Sequence, residues 1–353
     1  MAAPQHPTVG IGRPPATGPP LEMPAPEEPQ WLWESLRYQF WQPPDLARSM
    51  RRAGQLEPEQ REAIAYWWSL VAAVEGLGPR AYATAFVRAT EQHDSDQVRW
   101  ALLAMLRDAL RHEQLFHLAI QRLVPGWPVD YQPQTAVGRH ASRHLGQVDQ
   151  EAERCWHGYQ RALDQQGIGV VSGALLLSAL ATGDLYEHWA SGCTIPVFAT
   201  AFRHTAHDAQ RHQAVLRALA ARGWPLLSVA QRSAAAAQVQ STVELLSVVM
   251  LDPASGQPDL PGDTAASQAA CQAVLGGLAA EQRHELLRTA LLQVRDLQHR
   301  YHIPFPAMPH LAIRGTQQDA AQDAASPRQA GGTQGPPGDR PWSLHPSASA
   351  GAR

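Results

Sequence analysis

Three cysteines are few for 353 residues, and Cys155, Cys193 and Cys271 lie far apart with no C-x-x-C pair among them. That excludes a zinc ribbon and a disulfide scaffold, and it fits a reducing compartment. Excess charge of one sign is also missing. The 29 basic residues face 32 acidic ones, so no nucleic-acid footprint exists. No apolar run reaches the length of a membrane span. The longest, Ile168 to Ala181, is short and interrupted by Gly and Ser. The Pro-rich N-terminus lacks the basic-then-apolar layout of a signal peptide. A cytoplasmic protein without membrane contact is therefore expected. There is no phosphate-cradling glycine loop, no G-x-S-x-G and no Cys–His pair.

Strand-like alternation is almost absent, whereas Ala, Leu, Gln, Arg and Glu abound, so the expected class is all-α. The spacing of apolar residues and of Pro and Gly stops predicts helices over about 30–40, 58–75, 79–92, 96–123, 138–165, 168–190, 196–221, 227–250 and 264–301. Gly76-Leu77-Gly78-Pro79 breaks or kinks the chain, and a Pro-rich loop covers 252–262. Residues 1–28 and 304–353 are rich in Pro, Gly and Ala and are expected to be disordered tails around a helical domain over 29–303. The aromatic start of that domain (Trp31, Trp33, Tyr38, Phe40, Trp41) either docks on a partner or covers its own core.

Sixteen histidines are the one compositional hint of metal or pH chemistry. Two of them belong to a phrase that occurs twice. Asp108-Ala109-Leu110-Arg111-His112 returns 100 residues later as Asp208-Ala209-Gln210-Arg211-His212. On 96–123, Val98, Leu102, Met105, Ala109, His112, Phe116 and Ile120 form an inward stripe; on 196–221, Phe198, Phe202, Thr205, Ala209, His212, Leu216 and Leu219 form its counterpart. Each Asp stands one turn before its His, where it can accept a bond from the ring and orient it. Two inward histidines on two helices suggest a bundle with a metal site, or the remains of one.

This pattern resembles the metal-binding helices of the bacterial multicomponent diiron monooxygenases, which carry Asp-Glu-x-x-His, commonly with Arg before the His. The resemblance covers about 60–225 and implies a ferritin-like antiparallel four-helix core with additional terminal helices. Asp108, Arg111 and His112, and Asp208, Arg211 and His212, match the motif, but its Glu is replaced by Ala109 and Ala209. The two remaining carboxylates are not evident either. Reflection about the turn near Asp94 sets position 109 opposite Gly78 and Pro79, and reflection about Cys193–Thr194 sets 209 opposite Ser178, in a stretch without acids. Two imidazoles without anionic ligands are a poor home for iron.

Two function classes follow. In the first, the chain is a non-catalytic scaffold subunit, without cofactor, beside a catalytic diiron subunit or in a homo-oligomer, as the resemblance implies. In the second, it is a metal-dependent oxidase or oxygenase with an unconventional iron site. The candidate ligands are His112, His212, Glu113, His117, Asp208 and Glu75, with His204 or His207 nearby and Asp108 orienting a ring. Glu113 and His117 stand at i and i+4, and Glu75 reflects onto Glu113 about the same turn.

Overall fold

The computed structural model describes residues 56–251 and 274–315, with Pro43 the one described position before them. Among the described residues the protein is all-helical, and its only extended pairing is one bridge between Met308 and Ile313. The order is α1 (Pro58–Glu75), α2 (Leu77–Glu91), α3 (Asp96–Leu123), α4 (Ala136–Gln166), α5 (Ile168–Gly192), α6 (Pro196–Gly223), α7 (Val229–Met250) and α8 (Ala280–Arg300).

Local chemistry sets these boundaries. Pro58 stands in the first turn of α1, where its missing N–H costs nothing, and Gln60 accepts the Glu57 amide at 3.1 Å. Ser95 caps α3 by accepting from Val98 N. Pro196 opens α6, and Ser228 with Gln231 boxes the start of α7. Gly76 keeps a right-handed helical conformation, so α1 and α2 meet at a kink rather than a loop. Gly167 closes α4 at φ 84°, a left-handed turn open to glycine, and α5 begins at once.

The helix expected to run over 264–301 is shorter. Its first residues lie outside the described range, and the chain is non-helical from Gly276 to Ala279. Gly276 sits at φ 67° against Gly192, where an added Cβ would come within 2.5 Å of the Gly192 carbonyl. The aromatic start and the loop 252–262 also fall outside the described residues. Residues 304–315, grouped by composition with the C-terminal tail, bury Phe305, Met308, Leu311 and Ile313.

α5 is the hub. It packs on α4, α6, α7 and α8, and it is buried along most of its length, with Glu187, Ser191 and Gly192 exposed at its C-terminal end. It is long and apolar enough to cross a membrane, contrary to the expected lack of such a run, but 89% of that stretch is buried inside the fold. Glycines allow its close contacts: an added Cβ on Gly173 would stand 3.1 Å from the Trp224 ring, whose Nε1 donates to the Gly169 carbonyl at 2.8 Å.

One buried acid splints α1 to the start of α4. Glu62, fully buried, accepts from the backbone N–H of Gln134 (2.8 Å), Thr135 (3.1 Å) and Gly138 (3.1 Å), from the Tyr131 hydroxyl (2.6 Å) and from the Thr135 hydroxyl. Burial pushes its carboxyl up, but these bonds outweigh burial and hold it below the usual range. The free N–H groups of the helix start thus receive a full negative charge. Glu62→Ala strands several buried donors, and urea unfolding should show a loss on the order of 3 kcal/mol. A loss below about 1 kcal/mol would mean that Glu62 is not a splint.

Candidate functional site

The two copies of the repeated phrase sit at the middle of α3 and α6. Both inward stripes are buried as their spacing predicts. Asp108 and Asp208 are buried more completely than an off-centre position implies, with no exposed surface. The reason is how they are paired. His112 Nε2 meets Asp208 Oδ2 at 3.1 Å, and His212 Nε2 faces Asp108 Oδ2 at 3.6 Å. Each aspartate therefore serves the histidine of the opposite helix, not the one a turn ahead on its own. The same-helix bond expected from i, i+4 spacing is replaced by a crossed, near-symmetric exchange.

The arginines complete the exchange. Arg111 Nη2 donates to Asp108 Oδ1 at 2.6 Å and to Asp208 Oδ2 at 3.3 Å; Arg211 Nη2 donates to Asp108 Oδ2 at 2.9 Å and to Asp208 Oδ1. Arg107 reaches Asp108 from the surface at 3.3 Å. The chain contains no lysine, so each of its 29 basic side chains is the planar, permanently charged guanidinium that suits bridging two carboxylates. Burial pushes the Asp108 carboxyl up, but the contact and charge of His212, together with Arg211, pull it to about 2 against the opposing charge of Asp208. Asp208 is likewise held well below the usual range, mainly by His112.

His112 is clamped on both sides. Its Nδ1 meets Glu75 Oε2 at 3.0 Å while its Nε2 meets Asp208, and Tyr186 donates to Glu75 Oε1 at 2.7 Å. Burial pushes its pKa down, but the bonds to Asp208 and Glu75 and their charges win and lift it to about 10. Both nitrogens face carboxylates, so both carry protons and the ring is an imidazolium at neutral pH. Each of the carboxylates Glu75, Asp108 and Asp208 is thus paired with a cation: His112 with Glu75 and Asp208, Arg111 and Arg211 with both aspartates, and Arg107 with Asp108 from the surface. Trp68, Phe116, Tyr186 and Phe202 form an aromatic layer beside the cluster; Phe116 and Tyr186 stack at 6.0 Å, and Tyr186 and Phe202 at 6.2 Å. This layer makes one side of the cluster apolar and so strengthens the charge interactions there.

A cavity of about 30 Å³ lies between the repeats, lined by Glu75, Gly78, Tyr82, Ala109, His112, Ser178, Ala179, Thr182, Ala209 and His212 among others. This is room for a water or two. Position 109 does face Gly78, where an added Cβ would meet Ala109 at 3.3 Å. Position 209 faces Gly183 (3.2 Å), about one and a half turns beyond the Ser178 expected by reflection. Both helix pairs thus approach at backbone distance at the level where a dinuclear site needs carboxylates. Glu75 is the one acid on the cavity wall. A two-iron group does not fit this donor set: the single facing carboxylate is already bonded to a protonated ring, and Asp108 and Asp208 are bound to guanidinium. Among the described residues no group of three or more His, Cys, Asp or Glu side chains is arranged to hold a metal ion.

Glu75, Asp108, His112, Asp208 and His212 are therefore brought together, and Glu113 and His117 are not. The latter two are exposed and line an outer groove with Ala73, Leu110, Ile120 and Trp127. Position 113 turns about 100° from His112 about the axis of α3. His204 is half-buried, while His207 is exposed with its Nδ1 2.8 Å from Arg211 Nη1, outside the cluster. Tyr186 and the bridging role of the arginines were missed in the sequence. The signal for Tyr186 was faint: one hydroxyl among several on a largely apolar helix.

The raised pKa of His112 fixes a sign. Its contribution is complete below about pH 6.5 and declines as pH rises through about 10, while that of Asp108 is lost as pH falls from about 4 to about 2. Thermal unfolding should show stability falling between pH 7 and 10, and His112→Gln should flatten that alkaline limb. A double-mutant cycle between His112→Gln and Asp208→Asn should give coupling above about 1 kcal/mol, against little for His112→Gln with Asp108→Asn. The reverse ranking would refute the crossed pairing.

No family model, no curated protein and no solved structure matches this chain.

Proposed function

We propose that the chain is a non-catalytic structural subunit of an oxygenase-type complex, with a ferritin-like core related to diiron monooxygenase hydroxylase subunits. The observation that carries this reading is the clamp on His112. In a metal site that ring must offer a lone pair to the ion. Here both nitrogens are committed to carboxylates, and each of the three acids around the cluster is already paired with a cation. The duplicated layout supports the reading: two helix pairs, α2 with α3 and α5 with α6, face one another across the cavity, and each carries one copy of the repeat. The cluster in this view replaces metal–ligand bonds with ion pairs and keeps the two halves in register. A partner subunit bearing complete Glu-x-x-His motifs supplies the chemistry.

The alternative of a metal-dependent oxidase through Glu113 and His117 has lost its geometric basis, because those side chains face outward. Elemental analysis of the full chain, purified after growth with added iron and manganese, tests the proposal. The expected content is below about 0.1 ion per chain. Roughly two ions per chain, or one ion lost together in Glu75→Gln, His112→Ala and His212→Ala variants, would overturn it.

A further inference from the structure

The outer face of α3 carries a second stripe, which touches the cluster through Arg107. Trp100, Leu103, Arg107, Leu110, Gln114 and His117 recur at alternating spacings of three and four, the seam of a helix that packs lengthwise on another helix. In this structure that seam faces outward. Trp100 is 63% exposed, Leu103 37% and Leu110 49%, three of the large apolar side chains most open to solvent. Scattered single exposures need no explanation, but a stripe on one helix does.

The stripe is polarised. On the N-terminal side of Leu110 stand the protruding indole of Trp100 and the guanidinium of Arg107, 41% exposed. On the C-terminal side lies the outer groove, with a floor that includes Ala73, Ile120 and Trp127, and walls that carry the acids Glu113 and Asp149 and no arginine. One half offers a knob and a positive charge; the other offers a recess and negative charge. A surface whose two halves complement each other is what an isologous contact requires.

We infer that α3 is a homodimer seam: two copies of this chain pack their α3 helices antiparallel about a twofold axis beside Leu110. In that register Arg107 of one copy stands beside Glu113 of the other, twice. Leu110 meets its own counterpart, and Trp100 of each copy enters the groove near Ile120 and Trp127 of its partner. The paired stretch, residues 100 to 120 on each helix, is about 30 Å long. The parallel arrangement sets Arg107 against Arg107 and leaves both indoles outside the grooves, so charge selects the antiparallel one. This inference does not depend on the metal content, and its outcome can be read whether or not the chain binds iron.

Sedimentation equilibrium of the purified full chain should give twice the 38.5 kDa chain mass at micromolar concentration. Leu110→Glu, which sets two carboxylates together at the axis, should weaken dimerisation at least tenfold while leaving the circular dichroism spectrum unchanged. Glu113→Arg, on the exposed face, should weaken it several-fold, and adding Arg107→Glu to that variant should restore much of the loss, read where circular dichroism shows that the double variant, which also loses the Arg107–Asp108 contact, is fully folded. A monomer at tens of micromolar would overturn the inference and leave the seam for a different subunit. So would a dimer that Leu110→Glu leaves intact, or a charge exchange that fails to rescue while Glu113→Arg alone weakens the dimer.

Discussion

A protonated imidazole held between two carboxylates is the constraint on which the rest of this structure depends. His112 ties three helices together: Glu75 comes from α1, Asp208 from α6, and the ring itself from α3. None of these groups tolerates burial alone. Removing one member leaves an uncompensated charge behind the aromatic layer, which costs far more than the lost contact. The cluster therefore acts less as a source of stability than as a specification. Only the arrangement that brings both repeats to the same depth satisfies all of its members.

The crossed pairing follows from this demand. A same-helix Asp–His bond would satisfy each helix by itself and impose nothing on their relative position. By exchanging partners, α3 and α6 become conditional on each other, and Arg111 and Arg211 each touch both aspartates. The close approach of Ala109 to Gly78 and of Ala209 to Gly183 belongs to the same design. Small residues let the backbones come near, and what remains between them is a cavity sized for water.

Much of the scaffold was legible in the sequence, because helix limits are written locally. Pro58, Ser95, Gly167 and Pro196 mark the observed starts and stops, and the apolar stripes identify the buried faces of α3 and α6. The repeat also pointed to His112, His212 and Asp208 as one level of the bundle, but reflection set Glu75 opposite Glu113, whereas its carboxylate meets His112. Which carboxylate meets which ring was not legible, since a crossed contact depends on the offset between two helices that lie almost one hundred residues apart. Glu113 and His117 misled for a related reason. Their i, i+4 spacing is favourable anywhere on a helix, and only the angular position relative to the buried stripe decides whether such a pair faces a site or solvent. The break at Gly276 was hidden because its cause is the backbone of Gly192, far off in the chain.

The deep burial of α5 also has a consequence for synthesis. Over its first four turns this helix is apolar on all sides, and among its neighbours α6, α7 and α8 follow it in the chain. At ~5–20 residues per second, the stretch from 192 to 300 needs on the order of ten seconds to emerge from the ribosome. During that interval the helix has only the earlier helices to lie against. A nascent chain in this state presents the sort of surface that chaperones bind and that membrane-targeting machinery inspects. Yield of this protein in a cell should therefore be limited by the time its most apolar segment waits for its cover, not by the stability of the finished fold.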